Sequence, residues 1–301
     1  MIKQINDETK FPSLKNQIEK ENIIVAPGCY DAFSAMLIEN AGFTTAYITG
    51  ASIAYTRLGK PDIGLVSMSE VVETIHLISE RTQIPLIVDG DTGFGNALNV
   101  IRTVRAFEAA GANAIQLEDQ TLPKRCGHLK GKSLVSAGEM IGKIKAAVDS
   151  RRSEEFLIMA RTDAIAVEGF EKALERAKKY FEAGADILFI EAPENEKQQA
   201  EIPNYFNKLK VPLLANMVEG GSSPLKSASE LEKLGYSIVI FPGGLIRAFT
   251  HMATEYFDSL KKNGSNVDFQ HRMLDFKELN QVLDTDRIMN IGQNYDASKW
   301  E

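Results

Sequence analysis

One junction recurs four times in this chain: a helical pattern, a glycine, then a short apolar run. It reads NAGFTTAYIT, AAGANAIQLE, EAGADILFIE and KLGYSIVIFP, with Gly42, Gly111, Gly184 and Gly235 at the joint. Glycine there suits a left-handed helix cap, which a Cβ would penalise. Counting every apolar run gives eight: Ile23–Ala26, Thr45–Thr49, Pro85–Asp89, Ala114–Glu118, Phe156–Arg161, Ile187–Glu191, Pro212–Asn216 and Ile238–Pro242. Runs this short and rich in Val, Ile, Leu and Phe fit strands buried on both faces. Amphipathic stretches of helical length separate them, among them Glu70–Arg81, Ala97–Ala110, Ala137–Val148 and Phe170–Ala183. Strands alternating with helices predict a parallel α/β sheet. Eight such units in roughly 250 residues predict closure into a (β/α)8 TIM-type barrel. The rival, an open doubly wound sheet, lacks its glycine fingerprint, since GDTGFG at Gly90–Gly95 does not fit it.

Beyond Gly264 the chain turns polar and then helical over Met273–Leu283. We expect one barrel domain over residues 1–301, with 265–301 a C-terminal helical extension. The net charge is −7, and no basic patch dominates, which argues against a nucleic-acid partner. Two cysteines make no disulfide framework, and Cys29 and Cys126 are not expected to pair. No apolar signal region opens the chain and no stretch reaches membrane-spanning length. A cytoplasmic protein without a membrane partner is expected.

Barrel enzymes of this kind carry their chemistry at the carboxyl ends of the strands. Here those ends are polar: Thr49-Gly50-Ala51-Ser52, Asp89-Gly90-Asp91, Glu118-Asp119, Arg161-Thr162-Asp163, Glu191, and Asn216 with Glu219. A lone Asp-x-Asp is most often a turn or cap. Converging acids instead suit a hard ion such as Mg²⁺, which takes a few carboxylate oxygens plus waters. Asp89 and Asp91 are the leading ligands, with Asp62 joining from the preceding loop. Zinc is not expected, because none of the four His pairs with Cys at zinc spacing. Arg161 suits a substrate carboxylate or a structural ion pair, with Glu191 as a partner. Cys29 reads as a small buried hydrophobe. His76 and His251, on helical segments, read as surface or packing residues, and Lys130 and Lys132 as lysines that keep a mobile loop soluble.

After the fourth run comes Lys124-Arg125-Cys126-Gly127-His128. A thiol among cations has its thiolate favoured, which makes it a nucleophile or an acid usable near neutral pH. Charge alone does not choose between them, and without exposure the thiol is inert.

These residues resemble the isocitrate lyase/phosphoenolpyruvate mutase superfamily, in its lyase branch. KRCGH (Lys124–His128), LGKPDIG (Leu58–Gly64), DGDTGFG (Asp89–Gly95), QLEDQ (Gln116–Gln120), ARTDA (Ala160–Ala164), EGFEKALERAKKYFEAGAD (Glu168–Asp186) and LLANMVEGG (Leu213–Gly221) follow its pattern in order. The resemblance spans Ile23 to Tyr256. It implies a barrel whose eighth helix is swapped between subunits of a homotetramer. It implies Mg²⁺, or Mn²⁺ in its place, on Asp89 and Asp91, with Asp62 and Glu118 mostly through water. Tyr47, Thr49, Gly50, Ala51, Arg161, Glu191 and Asn216 would hold a small 2-hydroxy di- or tricarboxylate. Cys126, on a closing loop with Lys124, Arg125 and His128, would be the proton donor, and Glu118 a candidate base acting through water. The implied reaction is carbon–carbon cleavage to a 2-keto acid and a carboxylate. Methylisocitrate lyases usually carry Ser-Gly-Gly where this chain has Thr49-Gly50-Ala51. They also tend to have Phe-Gly where it has Gly220-Gly221. The resemblance therefore points first to 2,3-dimethylmalate or another alkylmalate. 2-Methylisocitrate comes next, and then oxaloacetate hydrolysis. A barrel that only binds dicarboxylates is the reading from another class.

Overall fold

The computed structural model describes residues 11–20, 22–127 and 131–299. Eight parallel strands close into a barrel in sequence order. They are β1 (Ile24–Cys29), β2 (Ala46–Ile48), β3 (Leu86–Asp89), β4 (Ala114–Glu118), β5 (Leu157–Thr162), β6 (Ile187–Ile190), β7 (Leu213–Asn216) and β8 (Ile238–Phe241). The seam is β1 on β8, with Ile24 opposite Ile238 and Pro27 opposite Phe241. The α-helices up to residue 263 are α1 (Leu14–Ile18), α2 (Ala32–Asn40), α3 (Gly50–Ile53), α4 (Met68–Arg81), α5 (Ala97–Ala110), α6 (Ala137–Ser150), α7 (Ile165–Glu168), α8 (Phe170–Glu182), α9 (Glu196–Phe206), α10 (Ala228–Leu234) and α11 (Gly244–Asn263).

Each of the eight apolar runs overlaps a strand, and six contain it whole. The largest departure is β1, which continues through Pro27 and Gly28 to Cys29. Pro-Gly reads as a turn in sequence. Here Gly28 is required by close approach, since a Cβ would lie 2.2 Å from the Pro242 carbonyl oxygen. The four junction glycines have φ of 87, 107, 106 and 104°, which the left-handed cap demands. α4 starts two residues before the expected Glu70 because Ser67 and Glu70 form a reciprocal capping box.

The core has two layers, set by the two-residue period of a strand. Ile24, Ala26, Tyr47, Ile87, Ala114, Leu157, Met159, Ile187, Phe189, Leu214, Ile238 and Ile240 point into the barrel, where Leu14 of α1 joins them. The alternate residues, such as Ile48, Val88, Ile115, Leu117, Ile158, Leu188 and Val239, meet helix side chains including Ile75, Phe107, Ile144 and Leu174. Burying each large apolar side chain contributes roughly 1.5–3 kcal/mol.

Residues 11–246 form one compact unit, and residues 247–299 belong to a second. In the second, Phe276–Val282 and Thr285–Gln293 are helical, and Asp275 caps the first of these. Tyr256 meets Phe269 edge-on at 5.5 Å between ring centroids. Phe249, Phe257, Phe276, Ile288 and Met289 are exposed. Among the described residues no helix is long and apolar enough to cross a membrane.

Candidate active site

The inward parity of the strands carries on past the apolar layer. Ile87 is followed by Asp89, Ala114 by Gln116 and Glu118, Met159 by Arg161, Phe189 by Glu191 and Leu214 by Asn216. The register places Asp89 beside Gln116 and Glu118 beside Arg161. These polar residues are thus the top layer of the barrel interior.

One half of the site is acidic. Lys124 Nζ lies 2.5 Å from Asp62 Oδ1 and 2.7 Å from Asp91 Oδ1. Asp89 Oδ1 accepts from the Asp91 backbone N–H and from Gln116 Nε2, each at 3.1 Å. Gln116 is itself oriented by Tyr47, whose hydroxyl donates to Gln116 Oε1 at 2.7 Å. Gly50 faces this group: a Cβ there would lie 3.2 Å from Asp89 Oδ2 and 3.5 Å from Asp91 Oδ1. Thr49 is buried beside it, and its N–H donates to the Cys29 carbonyl at 3.1 Å. Burial pushes the Asp91 carboxyl up to about 7, with Asp89 and Asp62 adding to it and Lys124 opposing. Burial disfavours charge on Lys124, but Asp91 and Asp62 outweigh it and hold the ammonium charged.

The donor set is hard oxygen, as Mg²⁺ prefers. Among the described residues no three His, Cys, Asp or Glu side chains gather into a full ligand cage. Glu118 Oε1 is buried with no hydrogen-bond partner. A cation held by one or two carboxylates, waters and substrate oxygens fits that arrangement. A fully protein-ligated ion does not.

The other half centres on Arg161. Its Nε and Nη2 donate to Asp163 at 3.0 and 3.1 Å, and its Nε lies 3.4 Å from Glu118 Oε2. The guanidinium stacks 5.2 Å over the Phe189 ring. Burial pushes the Glu118 carboxyl well above its ordinary range against the pull of Arg161. Burial also opposes ionisation of Asp163, yet Arg161 and Lys132 outweigh it and keep that carboxyl below its usual range. Asp163 is fixed from behind: its N–H donates to Asp119 Oδ1 at 2.9 Å. Asp119 Oδ2 in turn accepts from Thr162 at 2.7 Å and Tyr180 at 2.8 Å. Asn216 Nδ2 donates to Glu191 at 3.2 Å, while its Oδ1 is buried without a partner.

The cysteine loop leaves β4 and is pinned at its stem. Thr121 N–H donates to the Ser133 carbonyl at 2.9 Å. Gln120 accepts from the Arg125 N–H at 3.0 Å and donates to its carbonyl at 2.8 Å. The Cys126 N–H donates to the Asp62 carbonyl at 3.3 Å, which joins two loops. Gly127 lies against the other half of the site: a Cβ there would stand 2.4 Å from Arg161 Nη2 and 2.6 Å from Glu191 Oε1. Cys126 is partly exposed, whereas Cys29 is fully buried and burial drives its thiol up.

Most sequence candidates therefore converge: Asp62, Asp89, Asp91, Lys124, Gly50, Tyr47 and Glu118 with Arg161, and Glu191 with Asn216. Ala51 follows Gly50 in α3 and is half-buried. Arg125 differs from Lys124. It is exposed, and its Nη1 would lie 2.6 Å from a Cβ on Gly131. His128 lies outside the described residues. Lys132 corrects an expectation. Its side chain is 2% exposed, and its Nζ donates to Asp163 Oδ1 at 3.0 Å and to the Gly127 carbonyl. It is an interior counter-charge and not a solubilising lysine. Asp163 and Gln116 were not picked out as site residues either. Both share inward parity with residues that were, and that was their signal.

The site gathers carboxylate oxygens at Asp62, Asp89 and Asp91 and a guanidinium at Arg161, with the backbone of Cys126 and Gly127 against them. The family model described as phosphoenolpyruvate phosphomutase matches residues 14–261. The chain is 44% identical over 286 residues to 2,3-dimethylmalate lyase of Eubacterium barkeri, covering 94% of this chain and 96% of that one. It is 46% identical over 260 residues to 2-methylisocitrate lyase of Aeropyrum pernix, covering 86% and 82%. A solved 2,3-dimethylmalate lyase superposes with a TM-score of 0.89 at 32% identity over 98% of each chain. Phosphonopyruvate hydrolase, solved in complex with oxalate and Mg²⁺, gives 0.84 at 32% identity over 95% and 99%.

Proposed function

The chain belongs to the phosphoenolpyruvate phosphomutase family, within the superfamily that includes the isocitrate lyases, and from that premise we propose that it is a carbon–carbon lyase acting on 2,3-dimethylmalate or a related alkylmalate. The observation that carries the reading is the seating of Gly127 between Arg161 and Glu191 while Lys124 of the same loop reaches Asp62 and Asp91. Residues 124–127 thereby touch both an acidic and a cationic half-site, with Cys126 between the two contacts.

In this reading Arg161 binds a substrate carboxylate in a bidentate pair, preoriented by Asp163 and by stacking on Phe189. Asp89 and Asp91 would hold Mg²⁺ or Mn²⁺, with Asp62 and Glu118 as further oxygen donors nearby. That ion, when bound, supplies Lewis acidity to the 2-hydroxyl and its carboxylate. Glu118, whose burial raises its proton affinity, takes the hydroxyl proton through a water. The C2–C3 bond then breaks. C2 becomes the carbonyl of a 2-keto acid, and the bonding electrons pass to C3 of the departing carboxylate. Cys126 delivers a proton to that carbon. The loop keeps bulk water from the carbanion, and Lys124 offsets its charge. Pyruvate and propionate are the products from 2,3-dimethylmalate.

Thr49-Gly50-Ala51 and Gly220-Gly221, in place of the methylisocitrate lyase patterns, support an alkylmalate. A second reading, 2-methylisocitrate cleavage, is favoured by the 46% identity to the Aeropyrum pernix enzyme. Exposed Phe249, Phe257, Phe276 and Met289 support a homo-oligomer, which we read as a cytoplasmic homotetramer. The test is a panel of 2,3-dimethylmalate, 2-methylisocitrate, isocitrate and oxaloacetate with Mg²⁺, assayed for 2-keto acid release. Oxaloacetate hydrolysis is followed separately by oxalate release. Turnover of 2,3-dimethylmalate above the others supports the first reading. Preference for 2-methylisocitrate supports the second, and no turnover on any member overturns the lyase.

A further inference from the structure

We propose that Lys132 is a positioning residue, a charged tether that seats the Cys126 loop by joining its tip to Asp163. Its Nζ donates to the Gly127 carbonyl, one residue from the thiol. The same Nζ reaches Asp163 Oδ1 at 3.0 Å, the oxygen that also accepts from Arg161 Nη2 at 3.1 Å. Both side chains of the pair are dry, at 2% and 0% exposure. A buried charge pair of this kind is retained only where both partners are satisfied. Asp163 meets that condition with both oxygens in use: Oδ2 on Arg161 Nε at 3.0 Å, and Oδ1 shared by the two cations.

The geometry gives Lys132 a role distinct from the loop's other anchors. Thr121–Ser133 and the Gln120 clasp pin the stem, and the Cys126 N–H to Asp62 ties the loop to the acidic half-site. Lys132 links the Gly127 carbonyl, next to Cys126, to the carboxylate that orients Arg161. One oxygen, Asp163 Oδ1, thus serves both the lysine that holds Gly127 and the guanidinium of Arg161. The catalytic consequence rests on the lyase reading above. The tether itself does not.

The experiment measures alkylation of Cys126 by iodoacetamide in the full-length protein, followed by peptide mass spectrometry, with buried Cys29 as the internal reference. Rates are compared at the alkaline plateau, where the thiol is fully ionised, so that loss of a nearby cation does not masquerade as a change of position. Lys132→Met should raise the Cys126 rate roughly tenfold, the loss of one charge-assisted hydrogen bond. Lys132→Arg should fall between it and the wild type. Where the panel yields turnover, Lys132→Met should lower kcat more than it raises KM, because the thiol acts after binding. Wild-type alkylation rates in a folded Lys132→Met protein would overturn the tether. If that variant does not fold, Lys132→Gln decides by the same assay. A protein inert on the whole panel sinks the lyase reading and leaves the alkylation result standing.

Discussion

Lys124 and Asp91 form a buried ion pair, Nζ to Oδ1 2.7 Å apart, in the place where the acidic half-site would receive a cation. The same ammonium reaches Asp62 at 2.5 Å. The protein thus carries its own counter-charge to the acids, on the loop that bears the thiol.

Lys124→Met removes that counter-charge and leaves both carboxylates buried. Breaking a buried pair from one side costs about 3–5 kcal/mol. We expect a loss toward the low end of that range in urea unfolding with EDTA, because the carboxylates stay partly at the rim. Millimolar Mg²⁺ should recover more stability in the variant than in the wild type, since a second cation then fills the place of the first. A variant as stable as the wild type in EDTA would show that the pair contributes nothing.

Asp91 sets a pH dependence whose sign is fixed by its shift. Burial pushes the folded carboxyl from its ordinary 3.8 up to about 7 against the pull of Lys124, so the ion pair with Lys124 is complete only above that pH. The folded state therefore binds more protons than the unfolded one across that window. Its contribution to stability falls as pH rises through the window, by at most about 1.4 kcal/mol per pH unit. Metal binding runs the other way, because the ligand must be ionised. Calorimetry in buffers of different ionisation enthalpy should find about one proton released on Mg²⁺ binding near pH 6 and almost none near pH 8.5. Asp91→Asn should flatten the stability profile and remove most Mg²⁺ affinity. Equal proton release at both pH values would refute the assignment.

The barrel and much of the site were readable from the chain because both rest on local periods. Eight apolar runs and four cap glycines require only neighbouring residues, and Asp89, Glu118, Arg161, Glu191 and Asn216 close those runs on the inward parity. What stayed hidden depends on long-range contact. Lys132 resembles any loop lysine until the fold brings Asp163, 31 positions away, within 3.0 Å of it. Arg125 and Lys124 are adjacent cations, yet the first is exposed and the second is buried against two carboxylates. The Gln120 clasp decides that, by fixing the backbone of Arg125 on both sides. The extension of β1 past Ala26 was not legible, because the need for glycine at position 28 came from Pro242 across the seam.

Cys126→Ser tests the thiol as the acid. A hydroxyl fills nearly the same volume but is a far weaker acid at neutral pH. Turnover on the active panel member should fall by about two to four orders of magnitude, the usual range for a general acid. Mg²⁺ affinity should not move, because the backbone N–H by which Cys126 meets the Asp62 carbonyl is kept in the serine variant. Activity within a factor of a few of the wild type would assign the proton to another group.

Gly127→Ala tests the closed seating of the loop without touching a charge. The added methyl would lie 2.4 Å from Arg161 Nη2, 2.6 Å from Glu191 Oε1 and 2.8 Å from Glu191 Cγ, closer than any real Cβ contact. Something must shift. Arg161 is held by Asp163 and by its stack on Phe189, and Glu191 by Asn216, so the loop is the part that yields. Misplacing a reacting group by about 1 Å costs on the order of 100-fold. We expect kcat to fall by about that factor while Mg²⁺ affinity and melting temperature change little, because the acids and the barrel core are untouched. Peptide-resolved alkylation separates the two ways to lose activity. If the loop yields, Cys126 reacts faster than in the wild type. If Arg161 yields instead, Cys126 keeps its wild-type rate and KM rises with the lost carboxylate contact. Full activity with unchanged alkylation would mean that Gly127 does not lie against Arg161 during turnover.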